Sequence, residues 1–335
     1  MLWLAIFCIT GIGIGMCFEL LEIHAGPASA STMFLCFLGY WAQCLVSGFW
    51  TLRAGTLWQG QWTRRMVAAL IASALCDGAA QGFNYVGMVE GGFMLFTIFH
   101  SSVTFFSCVI AVFVLRTRLT SLQWLSVLLL VAGLLVTCIP NPIVARESFF
   151  LGVLCSALGS LCLAASYPLS ELVFSLADAD PPSEESSCFC GSLVNVIAFT
   201  AWTLVYTVPN WNESIYEPIY SARQPSVTWA WIGYALFAVT VGLHSLSFWK
   251  TVHKLGTVPT AVSKGAQQAG CFLFAHILFC RIDHKECMDY NYGRSLWNTL
   301  QKPAAFTLCC VGVVLYSLGK ATKAPQTAVA AGGEE

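Results

Sequence analysis

The feature that most constrains this chain is the recurrence of apolar runs about 20 residues long, the length an α-helix needs to cross the hydrocarbon of a bilayer. Reading on that rule places spans at roughly 2–21, 32–53, 66–86, 92–115, 120–139, 149–175, 189–208, 228–249, 257–280 and 303–320. In hydrocarbon no water is present to satisfy backbone N–H and C=O groups, so each such run must be helical. Composition agrees. Of 335 residues, 57% are apolar and 10% charged, against roughly 25% charged in an average soluble domain. A soluble fold of this length has too little interior to hide so much apolar surface. The chain is therefore expected to be an all-α integral membrane protein of about ten transmembrane helices, with lipid as its solvent. A net charge of −1 speaks against a nucleic-acid partner.

The 16 cysteines fall mostly inside apolar runs, where Cys acts as a small hydrophobe. No paired CxxC blocks stand beside His at metal spacing, so neither a metal site nor a cofactor is expected. Cys188 and Cys190 form only a C-x-C in a connection. Cys280 and Cys287 flank a polar stretch and are placed to form a disulfide if that loop faces an oxidising lumen; free thiols are the alternative. The first run lacks a basic start and an A-x-A cleavage site, and reads as a retained span. The tail 321–335 is small and polar and is expected to be disordered.

Lys and Arg in the connections set the orientation. With both termini in the cytosol, Arg53, Arg64, Arg65, Arg116, Arg118, Lys250, Lys254, Lys320 and Lys323 are cytosolic, and Arg146, Arg223, Arg281, Lys285, Arg294 and Lys302 lie opposite. The sequon Asn212-Glu213-Ser214 then falls in a non-cytosolic loop, as a glycosylation site requires. Endomembrane and plasma membrane both fit.

A faint internal repeat runs at a separation of about 165 residues. FNYVGMVEG over Phe83–Gly91 aligns with FWKTVHKLG over Phe248–Gly256, and Arg116 with Arg281. The halves are 1–140 and 141–320, the second with an insertion around Asp283–Leu300. Because five spans is an odd number, two such halves run in opposite directions, a frequent design of secondary transporters, with the substrate near the midplane.

The residues Gly91–Gly92, the basic turn Arg116-Thr-Arg118-Leu-Thr, Gly133, GTVPTAVSKGAQQ over 256–268 and GVVLYSLGK over 312–320 resemble the drug/metabolite transporter superfamily. Within it the pattern is most similar to the solute carrier 35 and triose-phosphate translocator branch. The resemblance implies ten helices in two inverted five-helix repeats and alternating access around a cavity lined by the first four helices of each half. It also implies a nucleotide sugar or phosphorylated metabolite as solute, and a peripheral last helix in each half that supports a homodimer. The Asp283–Leu300 insertion departs from the pattern.

A charge at the bilayer centre costs about 2.5–3.5 kcal/mol on insertion scales, so intramembrane charges mark function. Lys264 is the clearest case. Gln268 lies one turn further on the same helix face, with Ser263 and Gln267 as a neighbouring pair. Such a cation suits a phosphate or carboxylate; the competing reading is a structural Lys paired with Asp77 or snorkelling to an interface. Asp77, Gln81, Asn84 and Tyr85 share a face of the third span and either bind a polar head group, carry a coupling proton at Asp77, or serve as interhelical glue. His100 and Ser101 sit in the fourth span, with His100 one position from the repeat counterpart of Lys264. His244 and His276 carry less weight. Tyr40, Trp41, Gln43 and Tyr167 are candidates for a cavity wall or interface anchors. Gly11-x-x-x-Gly15 reads as a close-packing motif, and Pro168 and Pro259 as sites where helices break.

The leading expectation is a secondary transporter of a small, anionic organic solute. The alternatives are a transporter of a neutral or cationic solute, since Asp77 attracts a cation as readily as Lys264 an anion, and a non-transporting scaffold that keeps the fold. No G-x-S-x-G, H-E-x-x-H or Gly-rich phosphate loop is present, so neither an enzyme nor an ATP-driven pump is expected.

Overall fold

The computed structural model describes residues 2–24, 32–57, 60, 62–91, 93–136, 149–177, 180–221, 226–281 and 296–321. The side chains of Ser101 and Gln268, Cys287, most of the 283–300 insertion and the tail beyond 321 lie outside the described residues. What is described is all helix: α1 (Leu2–His24), α2 (Phe34–Ala54), α3 (Arg64–Gly91), α4 (Phe93–Val114), α5 (Ser121–Val136), α6 (Phe149–Ser175), α7 (Glu184–Trp202), the short α8 (Glu217–Ser221), α9 (Ser226–Leu255), α10 (Thr257–Phe279) and α11 (Leu296–Ala321). Two π-helical turns, Thr203–Thr207 and Asn212–Tyr216, prolong α7 towards α8.

Each of the ten long helices overlaps one expected span. Among the described residues, six stretches are long and apolar enough to cross a membrane: Leu2–Leu21, Phe34–Ala54, Arg64–Glu90, Phe150–Ser175, Glu184–Thr207 and Val227–Leu255. Ser102–Val114 and Ser121–Gly133 are shorter apolar stretches.

The surface has the inverse of a soluble protein's pattern. Phe113 is 78% and Val205 80% exposed, while Gln267 is 2% exposed. Among the described residues, exposed aliphatic and aromatic side chains occur on each of the ten long helices, more than the scattered apolar residues of a soluble surface. These are the features of a multi-pass integral membrane protein. Inside, where lipid offers no hydrophobic drive for helix association, small residues and hydroxyls join the helices. Ser107 donates to Ala164 O at 3.2 Å and Thr104 to Ala261 O at 3.1 Å, tying α4 to α6 and α10. Ser126 donates to Gly312 O at 2.7 Å, tying α5 to α11. Ser73 meets Ser170 at 2.8 Å and Ser166 O at 3.1 Å, tying α3 to α6.

The main pairings are α3 with α6, α1 with α9, α5 with α11, α2 with α7, α4 with α6, α2 with α9, α1 with α10 and α4 with α10. The close-packing reading of Gly11 and Gly15 holds: a Cβ on Gly11 would overlap the Gln267 carboxamide, and one on Gly15 the Cys271 sulfur, so both face α10. Along α3 and α6 the approach is closer still. A Cβ on Gly87 would stand 2.8 Å from the backbone N of Ser156, and backbone does not yield as a flexible side chain does. Gly87→Val is expected to destabilise by about 1–3 kcal/mol, read as a lower thermal midpoint in detergent. Gly82→Ala, at a site with nothing within 4 Å, is the control that leaves the midpoint unchanged or slightly raised.

Two sequence expectations need correction. Pro259 and Pro168 do not break their helices. Pro259 is the third residue of α10, in the first turn, where its missing N–H is not needed; α6 is continuous through Pro168. The eighth expected span, 228–249, also ends later than expected: it is α9, which runs to Leu255, past the polar residues Lys250–Lys254.

Candidate functional site

α9 and α10 form a helical hairpin about Gly256, whose backbone has φ +86° and ψ 173°. Glu171 of α6 accepts a hydrogen bond from the Thr257 N–H and so satisfies one of the free donors at the start of α10. Thr257 also donates its hydroxyl to Tyr167 O at 3.1 Å. This anchored hairpin sets the depth of Lys264, two turns into α10.

The Lys264 ammonium lies 3.5 Å from His244 Nε2 on α9 and 5.7 Å from the centre of the Phe7 ring on α1. The His244 ring stacks on Phe7 with centroids 4.4 Å apart, and its Nδ1 is 3.0 Å from Thr10 Oγ1. Thr10 donates to Ile6 O at 2.7 Å. An ammonium has no lone pair, so His244 Nε2 accepts from Lys264. Its Nδ1–H then donates to Thr10, and each donor in the chain finds an acceptor. Gln267 donates to Phe7 O at 3.0 Å, fixing α10 against α1. Ser263 is turned to its own helix, donating to Thr260 O at 2.6 Å.

Asp77 on α3 accepts the Tyr40 hydroxyl of α2 at 2.8 Å, with the Gln81 side chain beside it and Tyr167 of α6 within electrostatic reach. Tyr40 stacks on Phe199 of α7, centroids 5.2 Å apart. Lys264 and Asp77 feel one another's charge, yet they do not form an ion pair. Among the described residues the ion pairs are Lys250 with Glu185, and His253 with Glu184 at 2.9 Å. His100, on α4, also lies within electrostatic reach of Lys264.

The expected face of α3 therefore divides. Asp77 and Gln81 belong with Lys264 and His100. Asn84 instead packs its amide against Gly159 of α6, and Tyr85 joins the apolar cluster of Phe34, Tyr234 and Phe237. Eight residues of helix advance about 12 Å, enough to carry Tyr85 out of the group. His244, given little weight from sequence, lies 3.5 Å from the Lys264 ammonium. A signal for it was present: Lys264 follows Gly256 by eight residues and His244 precedes it by twelve. In a hairpin that difference is roughly 6 Å of depth, within reach of a lysine stem.

One end of the bundle is held by charge. Lys250 of α9 pairs with Glu185 of α7 and lies 4.7 Å from the Trp3 ring, and Phe174 of α6 stacks on His253 at 4.3 Å. At the other end Thr207 donates to Thr32 O at 2.7 Å, Asn212 is exposed, and Cys280 is engaged in a disulfide.

No family model and no curated protein matches this chain. The fold is nonetheless found among solved structures, of which 28 chains match. One protein solved by crystallography is 12% identical, aligns over 95% of this chain and 97% of its own length, and gives a TM-score of 0.65. At that identity the likeness speaks for the fold alone.

Proposed function

We propose that this chain is a secondary transporter that moves a small organic solute bearing an anionic group by alternating access. The observation that carries the reading is Lys264. It is an ammonium in the middle of a helix, and its nearest described partners are an imidazole and an aromatic ring, not a carboxylate. A charge placed there is costly and is retained where it serves a ligand. The solute class suggested by the resemblance to the solute carrier 35 and triose-phosphate translocator branch is a nucleotide sugar or phosphorylated metabolite.

Ten membrane-spanning helices in two inverted five-helix halves complete the reading. The packing supports it. If α1 to α5 correspond to α6, α7, α9, α10 and α11, then α3 on α6 corresponds to α9 on α1, α4 on α6 to α10 on α1, and α3 on α7 to α9 on α2. The pairs α2–α7, α4–α10 and α5–α11 are each their own counterpart. His100 is the eighth residue of α4 and Lys264 the eighth of α10, so the two cationic-capable side chains take equivalent places. Cytosolic termini are supported by Arg53, Arg64, Arg65, Arg116 and Lys254 at the ends of helices that alternation puts on one side. Asn212 and the disulfide-bonded Cys280 fall on the other side.

The test is uptake and counterflow in proteoliposomes with labelled anionic, neutral and cationic solutes, inorganic phosphate and a nucleoside monophosphate among them. Saturable uptake accelerated by the same solute inside the vesicle is expected. Absence of uptake and exchange for every member would instead favour a scaffold that keeps the fold.

A further inference from the structure

The site holds an ammonium, Lys264, and a carboxyl group, Asp77, that lie within each other's electrostatic reach without forming an ion pair. Resting on the transport reading, and in place of the net-anionic solutes that the family resemblance suggests, we infer that the solute is a zwitterion, its anionic group on Lys264 and its ammonium on Asp77.

The two charges have different surroundings, each suited to one end of such a solute. Around Asp77 stand Tyr40, which donates to the carboxylate at 2.8 Å, and Tyr167, Gln81 and Cys36, all within its electrostatic reach. A buried carboxylate that already accepts the Tyr40 hydroxyl is a setting for an ammonium, which gains from the charge and donates to the same oxygens. Around Lys264 stand His244, Phe7, Cys8, Cys271 and, on α4, His100. His244 is committed at both ring nitrogens, to Lys264 and Thr10, and takes one of the three ammonium N–H donors, leaving the others for a solute anion. Glu19 of α1 is a further buried carboxylate, near Cys271.

A simple anion bound at Lys264 would lie in the field of Asp77, and in a site of low dielectric like charges are strongly unfavourable. A simple cation at Asp77 would meet Lys264 in the same way. A solute with both groups satisfies each charge and adds none, so its passage moves no net charge. The remaining route to the same balance, a proton on Asp77 accompanying an anion, is an outcome the test separates.

The test uses proteoliposomes of the full chain and series of probes differing in one group: free α- and ω-amino acids, their N-acetyl derivatives, which keep only the anion, and their methyl esters, which keep only the cation. For wild type, uptake of at least one free amino acid is expected to exceed that of both derivatives by 10-fold or more, with no dependence on membrane potential. The ω-series reads the separation of the two groups. Asp77→Asn is expected to remove the disadvantage of the N-acetyl derivative, and Lys264→Met that of the ester. Uptake of the N-acetyl derivative equal to that of the free amino acid by wild type, or uptake of anions alone with an inward proton flux, overturns the zwitterion while leaving the transporter standing. Absence of transport for these probes together with the anion panel overturns both. The decisive comparison is made on wild type, so it does not depend on any variant folding.

Discussion

On the transport reading, Lys264→Met is expected to lower uptake of the solute by roughly 100-fold while leaving the protein as stable as wild type or more so. Methionine keeps the unbranched apolar stem and removes the charge, which lies 5.7 Å from the centre of the Phe7 ring. Losing one partner of a desolvated charge pair costs about 2–5 kcal/mol, and about 3 kcal/mol corresponds to that fold-change. The stability half of the prediction has the opposite sign because a buried ammonium without a carboxylate partner is a burden on the empty protein. Lys264→Arg is expected to recover uptake only in part. The guanidinium is a planar fork, whereas the group beside the stacked Phe7 and His244 rings is a compact point charge. Uptake kinetics and thermal unfolding in detergent check both halves. A lower melting temperature with uptake intact would mean that Lys264 holds helices together and does not touch the solute.

Gly256→Val is expected to produce the largest loss of stability of any single change in the α9–α10 hairpin. At φ +86° and ψ 173° the backbone occupies a region essentially confined to glycine, and forcing another residue there costs about 1–3 kcal/mol. Space is short as well: a Cβ would stand 3.3 Å from a Glu171 carboxylate oxygen. Displacing that carboxylate also uncovers the Thr257 N–H, a loss comparable to removing a helix cap, about 0.5–2 kcal/mol. Together these correspond to a fall in melting temperature on the order of 5–10 °C. Glu171→Gln separates the two effects, since it weakens the cap without straining Gly256. Uptake should fall with Gly256→Val too, because the same turn sets the depth of His244 relative to Lys264. Wild-type melting and uptake in the valine variant would show that the turn accommodates a side chain and does not set the site.

The positions of the long helices were legible in the sequence because run length answers to the thickness of hydrocarbon, a constraint that acts on each segment by itself. The reading failed where a segment depends on a distant one. α9 extends through Lys250 and His253 because Glu185 and Glu184 at the start of α7 meet them; from α9 alone those residues look like a connection. Pro259 looked like a break because proline interrupts a helix interior, but its place in the first turn of α10 is set by Gly256 and Glu171.

The site divides in the same way. Lys264, Asp77 and His100 stood out in the sequence because a polar group in an apolar helix is costly wherever the helix packs. Which groups they meet was not legible. Tyr40 reaches Asp77 and His244 reaches Lys264 only through the crossing of α2 with α3 and the folding of α9 back on α10, and Phe7 and Thr10 enter from α1. Asn84 and Tyr85 share a helical face with Asp77 yet are drawn off by α6 and by the Phe34–Tyr234 cluster. The sequence by itself determined that the chain is helical, apolar on its outside and marked by a few buried charges, since hydrophobicity and periodicity are properties of single segments. Only the tertiary structure decided that Lys264 and Asp77 come within each other's electrostatic reach without forming an ion pair, because the distance between two side chains on different helices depends on how those helices cross.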